Sequence, residues 1–335
     1  MSQFNILEVP TRIRALSLLS GGLDSQLAIC VLKEQGLDVH AITFDSPFFS
    51  SHSARLAAEQ LGVPFHVKDF TADIVSLLRD PPHGFGSQMN PCTDCHSLMI
   101  RRAGEMMEAG NFHFISTGEV LNQRPMSQRF ESMNIVAQES GYKGFLVRPL
   151  CAGLLPETEP ERRGWVDRNK LLSIQGRTRE AQLRLAEHYG LKDTPSPAGG
   201  CRLTDPNFVR RLRELSEHEG LSGARSLVLL RYGRHFRFGD NIKLILGRNE
   251  DDNLFLEGVA ELYDLVLKPE TVHGPTGLLH FTAREEQIAL AASVCARYSD
   301  SPSGSKTVVR VRSARGVRRI EALPAAESEV ERLRI

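Results

Sequence analysis

The chain has 335 residues, is 41% hydrophobic and 24% charged, and sets 41 basic residues against 41 acidic ones for a formal net charge of zero. Such a length can bury a core and suits two domains better than one, whereas neutrality excludes a uniformly basic nucleic-acid binder and leaves only local basic faces for such a partner. No apolar run approaches a membrane span, and the opening MSQFNILEVPTRIRA lacks the basic-then-apolar order of a secretory signal, so no membrane partner is expected and the expected compartment is the cytoplasm. The 6 cysteines are too few and too unevenly spaced for a disulfide scaffold. Their clustering is what carries information.

In chain order, the first predicted elements are a short buried strand over Ala15–Leu19, a glycine turn, a helix over Ser25–Glu34, a stop at Gly36 and a strand over Val39–Phe44. The alternation continues with a helix over Ser53–Leu61, a strand over Phe65–Val67, a helix over Pro91–Ala109 and a strand over Phe112–Thr117 that ends at Gly118. This order predicts an α/β domain: a doubly wound parallel sheet with helices on both faces, whose ligands sit outside the carboxyl ends of the strands. The texture turns Pro- and charge-rich around Leu150–Arg168 and changes again after Pro206. Strands over Lys243–Leu246 and Val308–Val311 and a helix over Arg284–Ala296 then predict a second, smaller α+β domain. The expected division is a first domain over 1–206 and a second over 220–330.

The turn between the first strand and helix reads Ser20-Gly-Gly-Leu-Asp-Ser25. Glycine removes the Cβ obstruction and the helix N-terminus adds its positive end, so this turn is suited to an anion, with phosphate expected. It is neither a Walker A loop nor GxGxxG; the alternative is a tight turn with no ligand. The string SGGLDS resembles the PP-loop of the ATP pyrophosphatases, the adenine nucleotide α-hydrolase group, whose fold is HUP-like. That resemblance implies cleavage of ATP between the α and β phosphates, with AMP attached to a substrate oxygen as a leaving group. It implies that Ser20, Gly21, Gly22, Leu23, Asp24 and Ser25 hold the pyrophosphate, with Asp24 catalytic and near Mg²⁺. It places Ile42, Thr43 and Phe44 against adenine, and Thr117 and Gly118 against the nucleotide. Where relatives often carry Thr-Gly-His, this chain has Glu119.

The stretch Asn90-Pro-Cys-Thr-Asp-Cys-His96 opens the helix over 91–109, with Asn90 expected as N-cap and Pro91 as first residue. Cys92 and Cys95 then face one side of the first turn, where the helix N-terminus favours thiolate. Cys201, in Pro197-Ala-Gly-Gly-Cys201, is a third soft ligand. Chance core cysteines and a c-type haem attachment compete for this pattern, and a structural zinc site wants a fourth ligand that is missing. Three thiolates around a [4Fe–4S] cluster would leave one iron open to hold sulfide, and this is the reading we prefer. Cys30, Cys151 and Cys295 read as buried small hydrophobes.

The PP-loop together with NPCTDCHSLMIRRA, ISTGEVLNQRPMSQ and LLSIQGRTREAQLRLAEHYGLKDTPSPAGGC is similar to the PP-loop tRNA thiouridine synthases, the ThiI-like or 2-thiouridylase-like group, over residues 12 to 206. Some relatives use a cysteine pair for persulfide transfer, which would make Cys92 and Cys201 the working, catalytic pair and Cys95 an accessory. The resemblance implies a tRNA substrate and a sulfur donor, either sulfide or a sulfur-carrying protein; a homodimer is also entertained. Expected RNA contacts in the first domain are Arg124, Gln128, Arg129, Lys170, Arg177 and Arg179, each with the rival reading of a solvated surface cation.

Later, HFRFGDNIKLILGRNEDDNLFLEG and ARYSDSPSGSKTVVRV resemble the C-terminal RNA-binding domain of NFACT proteins, with Gly-Arg-Asn at 247–249 as the most recognisable piece. Basic residues gather there: Arg231, Arg234, Arg237, Lys243 and Arg248, then Lys306, Arg310, Arg312, Arg315, Arg318 and Arg319. Arg310 and Arg312 alternate along a strand and project from one face. The expectation is therefore ATP-dependent tRNA thiolation with a [4Fe–4S] cluster. Its rivals are a cluster-free persulfide enzyme, a PP-loop amidating or ligating enzyme acting on a small molecule, and a non-enzymatic RNA-binding adaptor.

Overall fold

The computed structural model describes residues 12–124, 127–192, 200–280, 282–302 and 304–335. The chain divides into two units, Met1–Thr204 and Asp205–Ile335. In the first, β1 (Arg14–Leu18) leads through the glycine turn to α1 (Leu23–Glu34) and β2 (Asp38–Asp45). Then come α2 (His52–Leu61), β3 (Phe65–Asp69), α3 (Thr71–Arg79), α4 (Cys92–Ala109), β4 (Phe114–Ser116), α5 (Phe130–Ser140), β5 (Leu146–Val147), α6 (Glu159–Arg162) and α7 (Glu180–His188). The five strands run parallel in the order β3-β2-β1-β4-β5. The α/β reading therefore stands, and the turn at 20–22 lies at the carboxyl end of the central strand. Nearly every position of α1 from Leu23 to Leu32 is buried, with Leu27, Ala28, Ile29 and Leu32 fully enclosed. A helix apolar on several sides needs cover all round, so α1 is anchored by core packing and holds the turn before it still.

The start of α4 departs from expectation. The helix begins at Cys92, Pro91 takes the cap position, and no side chain caps it. Asn90 is occupied otherwise: its Oδ1 accepts the Gln88 N–H at 3.0 Å and its Nδ2 donates to Cys92 Sγ at 3.2 Å.

The second unit begins with α8 (Pro206–His218) and α9 (Ala224–Leu229), followed by β6 (Arg234–Phe238), β7 (Ile242–Leu246), α10 (Glu250–Gly258), β8 (Asp264–Pro269), β9 (Gly277–His280), α11 (Glu285–Arg297), β10 (Thr307–Ser313), β11 (Gly316–Ala322) and α12 (Glu327–Leu333). Its sheet is six-stranded and antiparallel throughout, in the order β11-β10-β8-β9-β7-β6. One face carries Phe236, Leu244, Leu267, Leu279, Val309 and Val311 into a core with Ile288, Ala291, Ala292 and Cys295 of α11. On the other, Ile245, Val266 and Leu278 pack with Leu256 of α10. Among the described residues no helix is long and apolar enough to cross a membrane.

Candidate active site

Gly21 adopts φ +81°, and a Cβ there would lie 2.5 Å from the Ser53 carbonyl carbon, so both the conformation and the space demand glycine. Gly22 is the N-cap of α1 with no side-chain cap bond, which leaves first-turn N–H groups for a ligand. Ser25 shapes the loop: its Oγ donates to the Gly22 carbonyl at 2.8 Å and accepts the Ser20 N–H at 3.3 Å. The Leu23 side chain is buried in the core, so only its backbone can serve the turn. Gly118 lies against the same helix start, where a Cβ would come within 2.5 Å of Ser25 Cα. Ile42, Thr43 and Phe44 occupy the carboxyl end of β2, and the Ile42 carbonyl accepts the Leu19 N–H at 2.8 Å.

Asp24 points from the first turn of α1 to Gln123, whose Nε2 donates to its Oδ2 at 2.6 Å. Its Oδ1 is buried with no partner among the described residues. Burial pushes the Asp24 carboxyl above its ordinary range against the opposing pull of Gln123, Arg179, Arg124 and Gln182. Arg124 and Arg179, read from the sequence as RNA contacts, thus lie within electrostatic reach of the glycine turn. Lys170 and Arg177 are exposed.

The three cysteines converge, since burial comes first and then Cys201 and Cys92 in pushing the Cys95 thiol far up. Burial, with Cys92 adding to it, raises Cys201 to about 11. This corrects the expectation of a thiolate at Cys95, where desolvation and then the neighbouring sulfurs outweigh the helix N-terminus. A cation among the sulfurs would reverse that balance. The preceding residues 193–199, which include Pro197, Ala198 and Gly199, lie outside the described residues. Among the described residues, only His83, Asp94 and Glu139 bring three metal-competent atoms within 4.8 Å of one another. There His83 Nδ1 meets Asp94 at 2.6 Å and Nε2 meets Glu139 at 3.3 Å, so both ring nitrogens serve an ion pair. The cysteine sulfurs form no such tight group among the described residues.

A charged strut runs from the residue after Gly118 toward the cysteine helix, and no contiguous motif in the sequence marks it. Glu119 accepts from Arg148 Nε at 2.7 Å and from Thr117 Oγ1 at 3.0 Å, and its other oxygen lies 3.8 Å from His96 Nδ1. Burial pushes the Glu119 carboxyl up, but Arg148 and His96 outweigh it and bring it down to about 2. A depressed carboxylate stabilises the fold above its unfolded value and loses that contribution as pH falls through the folded value. Glu119→Gln is therefore expected to cost about 3–5 kcal/mol near neutrality, because Arg148 is left buried and unpaired. The loss should shrink between the ordinary glutamate range and pH about 2; thermal unfolding across pH measures it. A variant as stable as the parent at pH 7 would remove the strut.

In the second unit most of the cations named from sequence hold the fold. Arg237 and Lys243 both pair with Glu214, the latter at 2.7 Å, and both side chains are largely buried. Arg234 stacks on Tyr298, 4.7 Å from its centroid. Arg248 is bound to Asp252 at 2.6 Å, while Asn249 caps α10 and a Cβ at Gly247 would strike Asn253. The Gly-Arg-Asn segment is thus a structural turn. Arg318 and Arg319 pair with Glu285 and Glu270. Arg310 and Arg312 differ: both are exposed and neither enters an ion pair among the described residues. Arg310 lies opposite Arg319 on β11 and Lys268 on β8, which are themselves paired with Glu270 and Glu257.

Residues 11–153 match the family model described as thiamine biosynthesis protein (ThiI), and residues 233–334 match that of the NFACT protein RNA binding domain. The chain joins a ThiI PP-loop domain to an NFACT RNA-binding domain. Among curated relatives, the tRNA-specific 2-thiouridylase MnmA of Geotalea uraniireducens is 25% identical, covering 87% of this chain and 83% of that protein. A probable tRNA sulfurtransferase of Oceanobacillus iheyensis is 29% identical over 44% of this chain, which spans only 37% of it. A solved 4-thiouridine synthetase–RNA complex with bound ATP is 18% identical over 65% of this chain and 52% of that one, at a TM-score of 0.36. The ThiI domain holds the glycine turn, Asp24 and the strut; the NFACT domain holds the Arg310–Arg312 face.

Proposed function

We propose that the chain is an ATP-dependent tRNA sulfurtransferase of the PP-loop type. ATP would adenylate a carbonyl oxygen of a tRNA pyrimidine, breaking the bond between the α and β phosphates, and a sulfur species would then displace AMP. The observation that carries this is the strut: Gly118 lies against the start of α1, and the carboxylate of the next residue comes within 3.8 Å of His96, the neighbour of Cys95. One β-strand end thus couples the anion-binding turn to the thiols. Uncapped N–H groups at the turn would stabilise the departing pyrophosphate, and the unpartnered Asp24 Oδ1 fits a magnesium ion accompanying it. The soft sulfur donors of Cys92, Cys95 and Cys201 would suit a [4Fe–4S] cluster, which when bound would supply an open iron for sulfide. The target base must leave its stack to be reached. Incubation with ATP, sulfide and unmodified tRNA without oxygen should give AMP, pyrophosphate and a thiolated nucleoside by mass spectrometry. ATP cleavage that ignores tRNA and yields no thionucleoside would favour a small-molecule ligase instead.

Arg310 and Arg312 are proposed to bind phosphates. In the full chain, Arg310→Glu with Arg312→Glu should weaken tRNA binding and flatten its dependence on salt, by about 0.9 in log–log slope for each phosphate no longer neutralised if the RNA behaves like a duplex. ATP affinity should not change. An unchanged slope would assign RNA binding to the ThiI domain.

A further inference from the structure

Gln182 is fully buried on α7, and a buried amide is costly unless its polar ends are used. Its Nε2 donates to Gln123 Oε1 at 2.9 Å, and Gln123 Nε2 donates in turn to Asp24 Oδ2 at 2.6 Å. Three parts of the first unit, α7, the loop after β4 and the first turn of α1, are thereby joined in one directed chain. Direction matters because an amide has a donor end and an acceptor end. Turning Gln123 over would set its oxygen against the Asp24 carboxylate and its nitrogen against the Gln182 nitrogen. Gln182 therefore fixes the orientation of Gln123, and Gln123 fixes Asp24. The ends of the chain remain unused: Asp24 Oδ1, Gln182 Oε1 and the nearby Arg179 Nε are buried without partners among the described residues.

We propose that Gln123 and Gln182 are positioning residues for the Asp24 carboxylate, holding one oxygen on the protein so that the other faces the nucleotide's phosphates. This rests on the reading of Asp24 as part of the ATP site. The relay acts on geometry at the moment of cleavage more than on ground-state binding, because the turn's own N–H groups hold the phosphates.

Gln182→Met keeps the bulk and removes the donor, so nothing holds Gln123 Oε1 and its amide is free to turn away from Asp24. The expected result is a fall of about tenfold to a hundredfold in kcat for AMP formation, with KM for ATP within about threefold and the melting curve retained. The Gln123 side-chain amide should also lose the downfield proton of a carboxylate-bound donor in 15N-resolved NMR. If Gln182→Met does not fold, Gln123→Met, at a half-exposed side chain, carries the same expectation. Wild-type kcat in either folded variant, or a loss confined to KM, would overturn the relay. Asp24→Asn run alongside separates the two readings: if that variant cleaves ATP normally, it is the role of Asp24 itself that fails.

Discussion

Asp24→Ala is expected to lose formation of AMP and pyrophosphate by at least about a hundredfold while folding as well as the parent. The carboxylate stands at the first turn of α1, one oxygen fixed by Gln123 at 2.6 Å and one left over. Nothing in the apolar core depends on it, since Leu23 and Leu27 make that contact from the same helix. Burial raises its folded pKa, so folding disfavours the charged form. The resulting penalty is absent below the ordinary carboxylate range and fully present above the raised value. Removing the group should leave stability at pH 7 unchanged or higher, with no gain at acid pH. A site that costs stability and serves chemistry gives that pairing. Undiminished pyrophosphate release from the variant, measured with tRNA present, would take Asp24 out of the reaction.

Local signals made the first half of the fold legible. Buried runs and helical spacing located β1, α1, β2, α2 and α4 to within about two residues, because each pattern is set by neighbours in sequence. The six-stranded sheet was less legible: only two of its strands, at Ile242–Leu246 and Thr307–Ser313, carry a pattern plain enough to read from sequence. Its other strands are recognisable only by what they pair with, such as β8 between β10 and β9.

The site divides in the same way. The glycine turn and the CxxC are contiguous and could be read directly. Glu119 with Arg148 and His96, or Gln182 with Gln123 and Asp24, join residues tens of positions apart, and no local pattern marks them. Charge was misleading for a related reason. Arg237 and Lys243 look like RNA contacts in sequence, yet Glu214 on α8 pairs with both and Glu219 takes a second bond from Arg237. The one clue for Glu119 was a carboxylate directly after Thr-Gly, where an unpaired charge would be hard to bury.

Protein purified without oxygen is expected to be brown, to hold about four irons per chain, and to lose them when Cys92, Cys95 or Cys201 is changed to Ser. A hydroxyl is a poor substitute for a soft thiolate at iron, and each of the three sulfurs is needed. Thiolation should fall with the iron, while ATP binding at the glycine turn persists. The other three cysteines serve as controls. Cys151 and Cys295 are buried, with sulfurs 3.3 Å and 3.5 Å from the carbonyls of Glu119 and Pro275. A serine there finds an acceptor in place, so the cost is expected to be about 1 kcal/mol. Cys30 lies in the core beside Leu27 and Val31 without such a partner, and Cys30→Ser should cost about 1–3 kcal/mol. None of these three changes should touch iron. The persulfide alternative has its own signature: colourless protein, loss of activity with Cys92→Ser or Cys201→Ser, and near-normal activity with Cys95→Ser. The half-buried Cys95 thiol, pushed far up by desolvation and then by its neighbours, is a poor nucleophile when bare, so an essential Cys95 would favour the cluster over the persulfide pair. Iron-free protein that still thiolates tRNA would sink the cluster.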